Sequence, residues 1–252
     1  MTWDRNLEKY NDSDIVAHYA KMSGLQPCEV AIFGRWLKPG MAILDIGVGG
    51  GRTTPALTEI AGRYVGIDYS QAMVEACKKR FPSLEFRHCD ARELSQFGDD
   101  EFDAVVFSFN GIDVITDDAG RARCLKEIAR VLKPGGIYVF SSHNAKVVGV
   151  WPQLSTAKGI QIPWRIVRSI FKFFQMSARA LGSKAFYAGE GYILDTADGG
   201  LDLYVSTPAT MKPQILAVGL NVVEVVAGNW PETEFLYLTP WHYYACRKAS
   251  AA

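Results

Sequence analysis

Short apolar runs and stretches of helical periodicity alternate along most of the chain. Helical periodicity predicts helices at Arg52–Ala61, Ser70–Arg80 and Ala119–Leu132, with Ser70 as an N-cap. The apolar runs predict strands at Ala42–Ile46, Tyr64–Asp68, Leu84–Cys89, Asp103–Phe109 and Ile137–Ser142. This alternation is typical of an α/β protein in which a parallel sheet carries helices on both faces.

The last hundred residues add two strands and an unusually long connection. The strands are predicted at Val222–Ala227 and His242–Arg247, near the edge of the sheet. The connection runs from Asn144 to Ser206, which is longer than such a link needs. Within it, helical periodicity begins at Pro163, and alternation from Gly191 to Val205 predicts a hairpin with a glycine turn. We expect this hairpin to wall the pocket of an acceptor molecule, together with aromatic residues such as Trp151, Tyr187, Tyr192 and Tyr204.

Glycines follow the first predicted strand at Gly47, Gly49 and Gly51, directly before a helix. Glycine tolerates positive φ and lets the backbone approach a ligand, while the helix offers free N–H groups. Asp45 ends the strand, and its carboxylate suits a ligand with donor groups or positive charge better than a pyrophosphate. The pattern therefore predicts a loop that binds a nucleotide-like cofactor.

A second acid, Asp68, ends the next predicted strand about 20 residues after the first glycine, where a ribose is held in such units. Nicotinamide dinucleotides and other adenosine cofactors share this feature. The dinucleotide fingerprint requires a third glycine where this chain has Arg52. A nicotinamide-dependent oxidoreductase is thus disfavoured but stays an alternative, as does a non-catalytic protein that keeps the cofactor loop.

These residues resemble the class I S-adenosylmethionine-dependent methyltransferases. Further motifs follow in the family's order at His88–Ala91, Phe102–Phe109 and Val131–Gly136, and the close resemblance covers Leu37 to His143. It implies a Rossmann-like, doubly wound sheet of seven mostly parallel strands with an antiparallel last strand. It also implies a single methyltransferase domain over residues 1–252, with residues 144–206 as an inserted cap that recognises substrate.

The resemblance also assigns roles around S-adenosyl-L-methionine. Asp45 and the glycines hold the methionine amino group and approach the sugar, and Asp68 binds the ribose. The adenine is flanked by Tyr69 and Met73 and met at its amino edge by Asp90 and Ala91. The remaining assignments place Phe107, Ser108 and Asn110 at the methionine end, Arg52 at the methionine carboxylate, and Tyr10 and Tyr19 in a segment that closes over the cofactor.

The implied chemistry is an in-line displacement at the sulfonium methyl, which needs no protein nucleophile. An acceptor that must lose a proton also needs a general base. His143 is the first candidate because it follows the fifth strand, beside the crevice where open α/β sheets bind ligands. Asp113 is the second. Both residues could instead order their loops through hydrogen bonds.

Composition narrows the partners. The chain has 27 Lys and Arg and 27 Asp and Glu, so nothing favours nucleic acid. It shows no signal peptide and no membrane-spanning run, and we expect a cytoplasmic protein. The five cysteines and four histidines are scattered, which favours reduced thiols and predicts no metal.

Two further expectations concern the acceptor molecule and the predicted helix at residues 163–182. No motif for methylation of DNA or protein amides follows the fourth strand, so we expect a small-molecule acceptor and favour O-methylation because it is common. The helix has one polar stripe on an otherwise apolar surface. It is expected to be a packed cap, with peripheral membrane contact and a homodimer interface as alternatives.

Overall fold

The structure is a computed structural model that describes residues 5–148, 161–195 and 200–250. Seven strands form one sheet in the order β3-β2-β1-β4-β5-β9-β8, and β6 pairs with β7 in a separate hairpin. The strands are β1 (Ala42–Ile46), β2 (Arg63–Asp68), β3 (Glu85–His88), β4 (Phe102–Phe107), β5 (Leu132–His143), β6 (Glu190–Asp195), β7 (Leu201–Ser206), β8 (Leu220–Ala227) and β9 (Trp241–Lys248).

Helices connect and cover these strands. A 3-10 turn at Gly111–Val114 follows β4. Ser70 caps α5, as predicted, because its hydroxyl accepts a hydrogen bond from the Met73 amide at 3.2 Å. The α-helices are α1 (Arg5–Tyr10), α2 (Ser13–Lys21), α3 (Pro27–Trp36), α4 (Thr54–Ile60), α5 (Gln71–Arg80), α6 (Asp118–Val131), α7 (Gln161–Gly182), α8 (Lys184–Ala188) and α9 (Pro208–Leu216).

The strand order reverses at β1, which pairs in parallel with β2 on one side and β4 on the other. Strands β2 with β3 and β4 with β5 are also parallel, whereas β9 runs antiparallel to both β5 and β8. The predicted fold class is confirmed: a doubly wound, mostly parallel sheet of seven strands that ends with an antiparallel strand. A crevice opens at such a reversal, outside the carboxyl ends of the strands.

Apolar residues fill both faces of the sheet. One core joins the sheet to α6 and α9 through residues such as Leu125 and Ile215, and the other joins it to α3, α4 and α5 through Ile32 and Leu57. Strand β1 contributes to both, since Ile43 faces the second core and Leu44 the first. All five cysteines are buried and none forms a disulfide.

Some predicted boundaries were wrong. Strand β5 begins at Leu132 rather than Ile137, because the residues before the glycine turn already pair with Phe102 before the register shifts. Helix α4 begins at Thr54 rather than Arg52, since Gly51 has a φ of +78° and Pro55 favours the first helical turn.

The region after β5 contains the predicted helix and hairpin as α7 and the pair β6–β7. The hairpin joins the body where Asn144 forms a bridge with Ser206. Trp151 and the predicted turn at residues 196–199 lie outside the described residues. None of the helices in the described ranges is both long and apolar enough to cross a bilayer. The function of residues 144–206 as a substrate-recognition cap stays a prediction.

Candidate active site

The glycine loop after β1 has the backbone that its sequence predicts. Gly47 and Gly49 have φ values of +64° and +53°, a region that side chains disfavour. A Cβ atom on Gly47 would lie 2.7 Å from the ring of Phe107, so the loop could not pack here with any side chain at this position. Both glycines line a cavity at the carboxyl ends of β1, β2 and β4.

Asp68 lies at the end of β2 and faces the same loop. One carboxylate oxygen accepts from the Gly49 amide at 2.9 Å and the other from the Ser70 amide at 2.9 Å. Burial raises the pKa of Asp68 to about 6, although these two amides favour the ionised form. The carboxylate thus lines the cavity in a fixed orientation, with lone pairs left to accept from a ligand.

Asp90 follows β3 and also lines the cavity. Arg92 donates to both of its carboxylate oxygens, with Nε at 3.0 and 2.9 Å and Nη2 at 2.6 Å. Burial opposes ionisation of Asp90, but the hydrogen bonds and charge of Arg92 outweigh it and lower the pKa of the carboxyl. The Asp90 carboxylate is therefore held ionised at the cavity wall, where it can accept a hydrogen bond of the kind that the predicted contact with the adenine amino group needs.

The N-terminal segment covers the cavity. Tyr10 and Tyr19 line it, with ring centroids 6.0 Å apart in an edge-to-face arrangement. The Ser70 hydroxyl donates to the Tyr10 carbonyl at 2.8 Å. The backbone of Tyr19 packs so closely on the loop that a Cβ on Gly50 would lie 2.3 Å from it. The segment is thus seated directly on the glycine loop.

The cavity is an open cleft with about 800 Å³ of empty space, a figure that includes the solvent at its mouth. It brings together ten of the fourteen predicted cofactor residues, and Tyr10 as well. They are Tyr19, Gly47, Gly49, Asp68, Tyr69, Met73, Asp90, Ala91, Phe107 and Ser108.

Asp45 and Gly51 do not line the cavity. Strand alternation turns Asp45 to the same face as Ile43, towards α4, where its Oδ2 accepts from Thr53 at 3.0 Å and from the Tyr64 hydroxyl at 2.9 Å. Gly51 instead lies against Phe81, whose ring would be 2.6 Å from a Cβ. Both residues therefore pack on the side of the loop that is turned away from the cavity.

Arg52 is likewise turned away from the cavity. Its guanidinium donates to both carboxylate oxygens of Glu29 at 2.6 Å, and to the Gly24 carbonyl at 3.0 Å. Glu29 is fully buried and needs this partner, which explains why the arginine points to α3. The guanidinium also lies over the ring of Phe109, 5.0 Å from its centroid.

A strained turn follows β4. Phe109 and Asn110 have φ values of +56° and +60°, which residues with side chains seldom adopt. Two hydroxyl groups hold the turn: Tyr243 accepts from the Phe109 amide at 3.3 Å, and Ser141 accepts from the Asn110 amide at 2.7 Å. Asn110 is buried beside the cavity without lining it. Strain retained in this way is typical of functional sites.

His143 and Asp113 are brought together at the end of β5, although neither lines the cavity. Nδ1 of His143 lies 2.8 Å from Oδ2 of Asp113, and the His143 amide donates to the same oxygen at 2.7 Å. The Asp113 side chain is fully buried, and Ser142 donates to its other oxygen at 2.8 Å. This pair leaves Nε2 of His143 as a proton acceptor, 3.1 Å from the side-chain nitrogen of Asn110.

Comparisons with known proteins agree with this geometry. A family model described as a methyltransferase domain matches residues 43–136. Over 112 residues the chain is 40% identical to a demethylmenaquinone methyltransferase of Clavibacter sepedonicus, covering 43% of this chain and 44% of that protein. Residues 43–136 therefore form a methyltransferase domain. The chain spans about half the length of these curated relatives.

Solved structures share the fold of this chain over almost its full length. The CcbJ methyltransferase of Streptomyces caelestis superposes with a TM-score of 0.63 at 18% identity and covers 96% of this chain and 98% of its own. A 1,6-didemethyltoxoflavin N1-methyltransferase of Burkholderia thailandensis has a TM-score of 0.61 at 15% identity, with 99% and 92% covered. At such identities the likeness concerns the fold alone.

Several residues of the candidate site were not predicted from the sequence. Phe109, Val114 and Ile115 line the cavity, yet their apolar side chains carry no motif. Arg92 also lines it, and its only signal was its position two residues after Asp90. Glu29 was missed as the partner of Arg52 because the pairing joins segments 23 residues apart.

The hairpin is not part of this cavity, because none of the described residues of β6 or β7 lines it. Its expected contact with an acceptor molecule stays a prediction. Tyr204 covers the guanidinium of Arg121, 3.6 Å from the ring centroid, and Tyr192 donates to Asp118 at 2.6 Å. The hairpin aromatics therefore support the turn that carries Asp113, since Arg121 also donates to the Ile112 carbonyl.

Asp45 gives a pH-dependent stability that can be measured. Burial raises its pKa to about 7, against the hydrogen bonds from Tyr64 and Thr53. The unfolded chain releases this proton at about pH 4, whereas the folded protein keeps it up to about pH 7. The contribution of this group to folding is therefore fully present below about pH 4 and is lost as the pH rises towards 7. Asp45→Asn is therefore expected to gain stability relative to the wild type over this interval, by roughly 1.4 kcal/mol per unit of pKa shift.

Urea unfolding of both proteins at pH 5 and pH 8 measures the effect. The difference between the two proteins cancels the titration of other groups, including His242, whose pKa burial lowers. A difference that is the same at both pH values would show that Asp45 titrates normally in the fold.

Proposed function

We propose that this protein transfers a methyl group from S-adenosylmethionine to a small-molecule acceptor. The observation that carries the proposal is the cavity at the reversal of strand order. There the glycine loop, the oriented Asp68 carboxylate and the ionised Asp90 converge in a domain of methyltransferase sequence.

The residues present fit this cofactor. The Ser108 hydroxyl lines the cavity and is buried without a hydrogen-bond partner among the described residues, so it is available to a ligand. The Asn110 side-chain oxygen beside the cavity also has no such partner. Ser108, Gly47 and Gly49 would hold the methionine portion, and Asp68 the ribose hydroxyls. Asp90, Ala91 and Met73 would surround the adenine.

When bound, S-adenosylmethionine supplies a methyl group on a positively charged sulfur that an electron pair can displace. The protein contributes by holding the two reactants in line and excluding water, which is worth up to about 7–11 kcal/mol in well-oriented systems. Tyr10 and Tyr19 present aromatic rings to the cavity, and such rings favour a nearby cation.

His143 is the group best placed to remove a proton from the acceptor. Asp113 orients its ring and would stabilise the imidazolium that forms, while Nε2 receives the proton. In this structure Nε2 contacts the Asn110 amide, so an acceptor hydroxyl has to replace that contact. The His143 side chain is 27% exposed, so an acceptor can approach it.

For the acceptor we favour an aromatic ring that carries an ionisable hydroxyl. Relatives named demethylmenaquinone methyltransferases support a quinone-type compound in its reduced form. Removal of the hydroxyl proton makes both that oxygen and the ring carbon beside it nucleophilic. O-methylation stays our prediction, and nuclear magnetic resonance of the product with a ¹³C-labelled methyl group distinguishes a methoxy carbon from a ring methyl.

Calorimetric titration with S-adenosylmethionine, S-adenosylhomocysteine and NAD tests the function first. We expect binding of the first two in the micromolar range, about −8 kcal/mol, and no heat with NAD. Binding of NAD alone would favour the oxidoreductase alternative. Absence of binding to all three would favour a protein that keeps the loop without its activity.

A further inference from the structure

Helix α7 exposes an apolar surface that the proposed reaction does not use. When residues are spaced 3.6 per turn, the described large apolar side chains that are more than half exposed fall within an arc of about 100°. They are Val167, Ile170, Phe171, Phe174 and Leu181, with 51 to 68% of each exposed. Single apolar residues are common on protein surfaces, but a continuous stripe of this size marks an interaction site.

The helix is attached to the body by a different face. Ser177 donates to the Val148 carbonyl at 3.0 Å, and Met176 and Ala180 are half-buried beside it. By helical spacing these residues lie next to the apolar stripe rather than within it. The stripe therefore stays exposed while α7 is held in place.

The charge of this region is strongly one-sided. Residues 144–189 contain seven Lys or Arg and no Asp or Glu, although the whole chain has 27 of each kind. Four of the basic residues, at positions 165, 168, 172 and 179, share another stripe of α7 by their spacing. An apolar stripe beside a basic stripe without acids is typical of helices that lie in the interface of an anionic membrane.

We propose that α7 docks this protein on membranes that contain anionic lipid. The apolar stripe enters the boundary between headgroups and acyl chains, and the basic stripe contacts the headgroup phosphates. A second copy of the chain would bring the same positive charge against itself. Nucleic acid would complement the charge but leave the phenylalanine and aliphatic side chains in water, so lipid satisfies both stripes.

A second exposed apolar segment, the loop between β8 and β9, lies close to the attachment of α7. Its Tyr237 carbonyl accepts from the Val148 amide at 2.9 Å, which places the loop beside the attachment of α7. Phe235, Leu236 and Tyr237 are each about half exposed, at 50, 48 and 49%. The loop also carries Glu232 and Glu234, so we expect it to contribute apolar area rather than charge.

Co-sedimentation with vesicles tests the proposal, which does not depend on methyl transfer because the vesicles carry no acceptor. The wild type is expected to bind vesicles of phosphatidylcholine mixed with phosphatidylglycerol, to bind pure phosphatidylcholine far less, and to dissociate at high salt. Phe171→Ser with Phe174→Ser should weaken binding about tenfold or more. Arg179→Glu should weaken it about fivefold or more.

Leu216→Ser is the matched control, because Leu216 is an apolar residue that is 63% exposed on α9, and it should bind like the wild type. Circular dichroism and thermal unfolding verify that each variant folds. Failure of the wild type to bind anionic vesicles overturns the proposal, as does equal binding by the double variant. Concentration-dependent dimerisation through Phe171, or binding to duplex DNA, with no vesicle binding also overturns it.

Discussion

Replacement of His143 by alanine is expected to lower the turnover number of methyl transfer by about 10²- to 10⁴-fold, the usual contribution of a general base. The expectation rests on the position of His143 at the end of β5. Asp113 fixes its Nδ1 side at 2.8 Å and leaves Nε2 to receive a proton. The measurement is the rate of product formation at saturating cofactor and acceptor, followed from pH 5 to pH 9.

The pH profile separates a base from a structural histidine. In the wild type the rate should fall at low pH, because protonation of Nε2 removes the base. In His143→Ala the rate should instead rise with pH, because methyl transfer then depends on acceptor molecules that have ionised without a base. Asp113→Asn should also lower the rate, since an amide cannot stabilise the imidazolium as a carboxylate does. Undiminished transfer by His143→Ala across this range would assign the histidine a purely structural function.

Replacement of Asp68 by asparagine is expected to weaken binding of S-adenosylmethionine by about 10²-fold. A hydrogen bond to a charged group contributes about 1.5–3 kcal/mol, and the ionised carboxylate can accept from both ribose hydroxyls. An asparagine offers only one acceptor oxygen in the same shape. Calorimetric titration of both proteins above pH 7, where the wild-type carboxylate is ionised, measures the change.

The free energy of unfolding of Asp68→Asn without ligand tests whether the substitution damages the glycine loop. The variant loses one hydrogen bond, from Gly49 or from Ser70, but it also loses a buried charge whose pKa is raised to about 6. These effects oppose each other, so the free energy of unfolding above pH 7 should stay within about 2 kcal/mol of the wild type. Wild-type affinity in Asp68→Asn would refute the ribose assignment.

The sequence was sufficient to predict the elements that depend on local patterns. Strand β1 was predicted with its observed bounds, Ala42–Ile46, because its apolar run ends at glycines. The cap at Ser70 followed from its hydroxyl before a helical pattern. The position of Asp68 at the end of β2 followed from the distance along a βαβ unit. Each of these features depends on residues close together in the chain.

Side-chain direction could not be predicted in the same way. Asp45 and Arg52 both lie within the glycine motif, yet each turns to a partner outside it. For Arg52 the decisive partner is a buried carboxylate on α3, a helix for which the sequence offered no functional signal. Burial of that charge is a property of the folded chain, so spacing along the sequence does not reveal it.

The walls of the cavity extend beyond the segment that homology recognises. The match to the methyltransferase domain covers residues 43–136, whereas Tyr10 and Tyr19, which line the cavity, precede it. The proposed base His143 follows it without lining the cavity. A fragment cut at those limits would keep the glycine loop and both acids but open one side of the site to water. The matched segment therefore supplies the glycine loop and both acids, and the N-terminal helices are needed to complete the enclosure around them.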